Sequence, residues 1–149
     1  MKKGEWTPDL VARFSGAYSA AEAIRLVGGL LVRAGAITPA HIEAAVARES
    51  DYPTALPAEI PFALVHTDGP GALEPGAALG IFREPVPFHR MDQPEEILMV
   101  QLVAMLSVPD RSAQAEVVKG IVDALADGKT ARALLDADSL VGPVASKAG

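Results

Sequence analysis

The sequence predicts an α/β fold: a three-layer sandwich in which helices flank a mixed β-sheet. Three observations carry that reading. Two capped helical segments come first, several apolar strand-like runs fill the middle, and two more helical segments follow them. The 149 residues suit a single domain, 1–149, with a core at about 15–140 and a flexible tail at 141–149.

Residues 1–14 have no clear period. Ser19-Ala20-Ala21-Glu22 is a capping box, in which the serine oxygen takes a backbone N–H and the glutamate reaches back. A helix should follow, with Ile24, Val27, Leu30 and Leu31 on one face, and Gly35 should end it. Gly28-Gly29 would weaken that helix by up to about 1 kcal/mol per glycine relative to alanine, which points to close packing on a neighbour. Thr38-Pro39 opens a second helix with a capping hydroxyl and a proline that needs no N–H. Ile42, Ala45, Val46 and Glu49 form its stripe, Arg48 favours the dipole in the last turn, and Tyr52-Pro53 closes it.

PFALVHT at 61–67 reads as a strand with Phe62, Leu64 and His66 on one face and Ala63, Val65 and Thr67 on the other. Asp68-Gly69-Pro70-Gly71 is a loop, and AALGIFR at 77–83 is a second strand. PVPFHRMDQPEE contains three prolines and should hold short edge pieces and a loop. ILMVQLVAML is apolar on both faces, as a central strand would be, and its Gln101 should find a partner. Pro109-Asp110-Arg111-Ser112 restarts a helix whose apolar stripe runs through Val117, Val118, Ile121, Val122 and Leu125, ended by Asp127-Gly128. TARALLDA forms a short last helix, and GPVASKAG should fray.

Composition excludes several functions. The net charge of −6 and the lack of a Lys/Arg cluster argue against nucleic acid. With no cysteine there is no thiolate chemistry or Cys-based zinc site. MKKGEWTPDL lacks the apolar stretch of a secretory signal, and the apolar run 97–108 is shorter than the roughly 20 residues of a membrane helix. The expectation is a cytoplasmic protein with no direct membrane insertion. The three histidines form no HxxxH or HxH pair, so no metal is expected. No nucleophile elbow, Walker sequence or GxGxxG turn is present, which disfavours a nucleotide enzyme.

His41 is expected to be exposed in the first turn of the second helix, and His89 to lie at the surface or an edge. His66 is aligned with Phe62 and Leu64 at a strand's carboxyl end, where α/β sheets gather ligands. By itself, such a histidine is more often a hydrogen-bonded packing residue. Arg48, one helix earlier, has the planar fork that suits phosphate, and Glu49 could orient it. The plainer reading of that pair is a solvated helix end.

R-E-S-D-Y-P-T-A-L at 48–56, followed by a strand ending A-L-V-H-T, resembles the enzyme IIA components of the bacterial sugar phosphotransferase system, within the fructose–mannitol superfamily. P-V-P-F at 85–88, the apolar run 97–106 and PDRSAQAEVVKGIVDAL at 109–125 agree in order and spacing, so the resemblance covers roughly 15–140. It implies a sandwich like that of mannitol- and fructose-type IIA domains. It also implies that His66 accepts a phosphoryl group from the HPr phosphocarrier and passes it to a IIB component, with a membrane IIC component at one remove. Arg48 would hold the phosphate, and Glu49 and Thr54 would support it. Gln114 stands where many members have a second histidine, a feature of the galactitol-type branch. No cofactor is implied. Ala55 stands where glycine is usual and Val65 where proline is usual; valine still favours an extended backbone.

The residue types suit this chemistry. A neutral imidazole, with an ordinary pKa of about 6.5, is a good nucleophile near neutrality and can form a covalent intermediate. Transfer then needs positioning and charge neutralisation. Arg48 can supply charge, Gln114 an amide hydrogen bond, and Thr67 a hydroxyl. Two other roles fit the same fold: a regulatory protein that signals by phosphorylation-dependent partner binding, and a degenerate, non-phosphorylated binding domain. The coexistence of Arg48 and His66 disfavours the latter.

Overall fold

A computed structural model describes residues 8, 10–66, 71–136 and 144–146. The strands are β1 (Leu10–Ser15), β2 (Ala55–Leu56), β3 (Phe62–Val65), β4 (Gly76–His89), β5 (Ile97–Ser107) and β6 (Val144–Ser146). The helices are α1 (Ala20–Arg33), α2 (Pro39–Asp51), α3 (Gln114–Ala126) and α4 (Gly128–Asp136), with a 3-10 turn at Arg111–Ala113 before α3. The strands form one mixed sheet in the order β2-β3-β5-β4-β1-β6. β1 is parallel to β4 and β6, β3 is parallel to β5, and the β2–β3 and β4–β5 pairs are antiparallel.

Alternation along the strands supplies two cores. Ala63 and Val65 of β3 join Val103, Met105 and the apolar stripes of α1 and α2. Phe62 and Leu64 point the other way, to Leu102, Ala104, Leu106 and the inner faces of α3 and α4. Burial on both sides explains why β5 reads as an unbroken apolar run. The expected three-layer sandwich is the observed one.

Most local signals act as expected. Ser19 Oγ accepts the Glu22 N–H at 3.1 Å and Glu22 Oε1 accepts the Ser19 N–H at 2.9 Å, completing the capping box of α1. Gly28 is the close approach: a Cβ there would lie 2.7 Å from Ile42 Cγ1 of α2. Thr38 caps α2, accepting the His41 N–H at 3.2 Å.

Four expectations need correction. Residues 10–15, without a discernible period, form β1, because Val11 and Phe14 are buried in opposite cores and a strand covered on both faces does not alternate. The tail expected to fray contributes β6, whose backbone pairs with β1 from Arg13 to Ser15. PVPFHRMDQPEE holds an edge piece and a loop as expected, but the edge piece, 85–89, is not separate: β4 continues through it to His89. Among the described residues β4 pairs there with β5 on one side, so the N–H that proline lacks is not needed on the outer side. Finally, His41 is buried, with 3% exposure.

β4 also bulges. Ile81 pairs with Leu102 and Val86 with Val100, so residues 82–85 stand opposite Gln101 alone. Gln101 Nε2 donates to Phe82 O and Arg83 O, both at 3.2 Å, and so satisfies carbonyls that the bulge removes from the ladder. Beyond the bulge, Val86, Phe88 and Val100 fold onto the α1/α2 core, and the hairpin tip reaches β2, where Ala55 O accepts the Met91 N–H at 2.8 Å.

Candidate functional site

Parallel pairing of β3 and β5 brings their carboxyl ends to one edge of the sheet: Val65 stands opposite Met105 and His66 follows at once. His66 is half-buried, and its Nδ1 is enclosed. β4 begins at the same edge, with Gly76 opposite Ser107. From Ser107 the chain passes through a 3-10 turn capped by Asp110, whose Oδ1 accepts the N–H (3.0 Å) and hydroxyl (2.7 Å) of Ser112. α3 then starts at Gln114, so Gln114 sits at the positive end of a helix dipole near that edge.

Arg48 and Glu49 lie in the last turn of α2. Thr54 O accepts the Leu64 N–H at 3.2 Å, which ties the segment after α2 to β3 two residues before His66. The Glu49 carboxylate takes both Thr54 donors, the hydroxyl at 2.8 Å and the N–H at 3.1 Å. Glu49 therefore anchors the turn rather than orienting Arg48 as the sequence suggests. Tyr52 takes that part: the Arg48 guanidinium carbon lies 4.9 Å from the centre of its ring. Burial pushes the Glu49 carboxyl up to about 7, against the opposing pull of the Thr54 hydrogen bonds and of His89.

Among the described residues, the side chains of Arg48 and Gln114 make no hydrogen bond or ion pair. Their donors are uncommitted. Thr67 lies outside the described residues. His89 is exposed, with Nδ1 2.7 Å from Pro94 O. An apolar groove of about 460 Å³ opens along the same edge, between Pro75–Ala77, Ser107–Asp110 and the first turns of α3 at Ala113 and Val117.

His41 is what sequence reasoning missed here. Its ring packs under Gly71, where a Cβ would lie 2.9 Å from Nδ1. Its buried Nε2 has no hydrogen-bond partner, and burial lowers its pKa. The signal was the i, i+4 spacing of His41 and Ala45, since Ala45 is also buried. The described residues contain no group of three or more His, Asp or Glu able to hold a metal ion, and no helix long and apolar enough to cross a membrane.

Comparison with known proteins bears on this site. No curated protein matches the chain. Among solved structures, IIA mannitol from Escherichia coli is 24% identical, with a TM-score of 0.65 over 85% of this chain and 89% of that one. The E. coli complex of enzyme IIA-mannitol with phosphorylated IIB-mannitol gives 24% identity and a TM-score of 0.66, over 86% of this chain and 88% of that one. The nitrogen regulatory protein IIA-Ntr of Neisseria meningitidis gives 21% identity and a TM-score of 0.69, over 89% and 92%. These likenesses establish the fold. The family model for the EIIA 2 component of the phosphoenolpyruvate-dependent sugar phosphotransferase system matches residues 6–140, nearly the whole chain. The chain therefore belongs to the EIIA 2 family of the phosphoenolpyruvate-dependent sugar phosphotransferase system.

Proposed function

We propose that this protein carries a phosphoryl group on His66, accepting it from a phosphorylated HPr-type carrier and passing it to a IIB component. What supports the reading is that His66, half-buried, ends β3, that the segment after the Arg48 helix is hydrogen-bonded to β3 two residues before it, and that the donors of Arg48 and Gln114 are uncommitted among the described residues. With Nδ1 enclosed, Nε2 is the nucleophile. Its lone pair forms the new N–P bond while the donor's bond to phosphorus breaks and the donor keeps the electron pair. The Arg48 fork offsets part of the negative charge on the phosphoryl oxygens, and the Gln114 amide donates a hydrogen bond to them without taking up a proton. Thr67 is a further hydroxyl donor in this proposal. Glu49 and Thr54 hold the turn after α2, and Tyr52 in that turn stacks with Arg48. The second transfer reverses these roles, with phosphohistidine as donor.

The apolar groove beside the site suits a protein partner, since an apolar patch rimmed by polar groups commonly marks an interface. The likeness to a IIA structure solved with phosphorylated IIB supports the choice of acceptor. Gln114 in place of a second histidine supports a galactitol-like polyol as the transported sugar. Cytoplasmic HPr as the donor makes the protein cytoplasmic. A regulatory role is the second reading, supported by the likeness to a nitrogen regulatory IIA protein.

The test is reconstitution with phosphoenolpyruvate, enzyme I and HPr. Wild-type protein should gain an acid-labile phosphoryl group and His66→Ala should gain none. No uptake by the wild type, or equal uptake by His66→Ala, would overturn the proposal. Onward transfer to an added IIB domain supports the transport role; a phosphoprotein that never discharges to IIB but changes its affinity for another partner supports the regulatory one.

A further inference from the structure

We propose that a second cavity, at the end of the sheet away from His66, binds a small phosphorylated polyol. This cavity measures about 550 Å³, within the roughly 300–1,000 Å³ of small-molecule sites. Its polar lining is Arg13, Ser15, Arg83, Gln101, Arg132 and Asp136. From Ala77 at the His66 edge, β4 runs six residues to Arg83, about 20 Å at 3.3 Å per residue. The cavity is therefore separate from the phosphoryl site, and the proposal does not depend on that site's function.

Charge singles this cavity out. In a chain of net charge −6, its lining among the described residues holds three guanidiniums and one carboxylate. Arg25 is spent on Glu43, and Arg90 on Asp92 and Glu96. The side chains of Arg83 and Arg132 make no hydrogen bond or ion pair among the described residues. The Arg13 guanidinium is held against the carboxyl end of α4 by Leu135 O at 3.4 Å and Leu134 O at 3.5 Å. Planar guanidinium forks match the oxygens of a phosphate.

The rest of the lining asks for hydroxyls. Both partners of Gln101 Nε2 are carbonyls, which only accept, so the amide nitrogen must face the bulge. That leaves Gln101 Oε1 as an acceptor with no partner among the described residues. Asp136, when ionised, also only accepts, and it would repel a phosphate placed beside it. A ligand that satisfies these oxygens brings hydroxyl donors, while its phosphate faces the arginines. Ser15 can donate or accept along the same wall.

The experiment is equilibrium titration of the full chain with glucitol 6-phosphate at low salt, read by calorimetry and by backbone amide shifts. Saturable binding is expected, with shifts centred on residues 13–15, 82–83, 101 and 132–136. Arg83→Ala and Arg132→Ala should each weaken it tenfold or more. Both side chains are exposed and unbonded, so the variants should keep the wild-type amide spectrum elsewhere. Glucitol and inorganic phosphate should each bind at least tenfold more weakly than the probe. The proposal is overturned by the absence of saturable binding, by unchanged affinity in both arginine variants, by inorganic phosphate binding as tightly as the probe, or by shifts centred instead on 54, 65 and 114.

Discussion

Glu49 shows how one side chain can be structural and titratable at once. Its carboxyl is half-buried, takes two hydrogen bonds from Thr54, and ionises near 7 rather than at 4.5. Between those two values the unfolded chain has lost a proton that the folded chain keeps. Stability contributed by the protonated group is fully present below pH 4.5 and is lost as the pH rises through about 7. His41 acts in the opposite sense: its folded pKa is depressed, so its contribution is present above 6.5 and is lost as the pH falls. In Glu49→Gln, whose amide can still bond both Thr54 groups, the decline from pH 4.5 to 7 should vanish and the loss below 6.5 should stand alone. Urea midpoints across pH check this; parallel profiles for the two proteins would contradict it. Arg48 belongs to the same scale. Arg48→Ala should slow phosphoryl transfer by about 10²-fold or more, the usual cost of removing one donor from developing charge, while leaving the melting temperature near that of the wild type. Single-turnover rates with phospho-HPr measure it, and an unchanged rate removes Arg48 from the site.

At the scale of the elements, the two glycines of α1 make a paired prediction. A Cβ at Gly28 would press on Ile42 Cγ1 and, at 2.9 Å, on Ile42 Cδ1, so part of α2 must move. Gly28→Ala should lower stability by about 1–3 kcal/mol, the cost of overpacking, less the gain in helix propensity. At Gly29 the nearest atom is the flexible end of Arg33, 3.6 Å away, so Gly29→Ala should raise stability by up to about 1 kcal/mol. Denaturant unfolding of both variants is the check, and equal signs would contradict the packing described here. The sequence could announce that the Gly28-Gly29 helix packs closely, but not which glycine touches α2. Caps, by contrast, were readable because they are local: Ser19-Glu22 and Thr38-Pro39 each fix a helix start within four residues. β4 was readable only as far as Arg83. Whether Pro85 and Pro87 break a strand depends on whether a neighbour needs their N–H groups, and that is decided by β1 ending at Ser15.

For the whole molecule, sheet order explains both what the sequence revealed and what it hid. His66, Arg48 and Gln114 are far apart in the chain, and in the proposed site they are brought together by parallel β3 and β5 with α2 and α3 on opposite faces of the sheet. Family resemblance put these residues on a list, whereas the bare pattern around His66 favoured packing. The anchoring of Thr54 by Glu49, the stacking of Tyr52 on Arg48 and the burial of His41 depend on tertiary contacts that no local pattern encodes. The same topology makes the middle of the sheet the most protected part, since 102–105 of β5 are paired to β3 and β4 and 78–81 of β4 are paired to β1 and β5. Amide hydrogen exchange should be slowest there and fast in the two-residue β2; comparable rates would contradict the order of the sheet. The central claim concerns one nitrogen atom. The most direct measurement is phosphorus and nitrogen NMR of the phosphorylated, ¹⁵N-histidine-labelled protein. Phosphorus coupled to Nε2 of His66, with the His41 and His89 rings unmodified, is the predicted result; phosphate on either of those rings, or none at all, would contradict it.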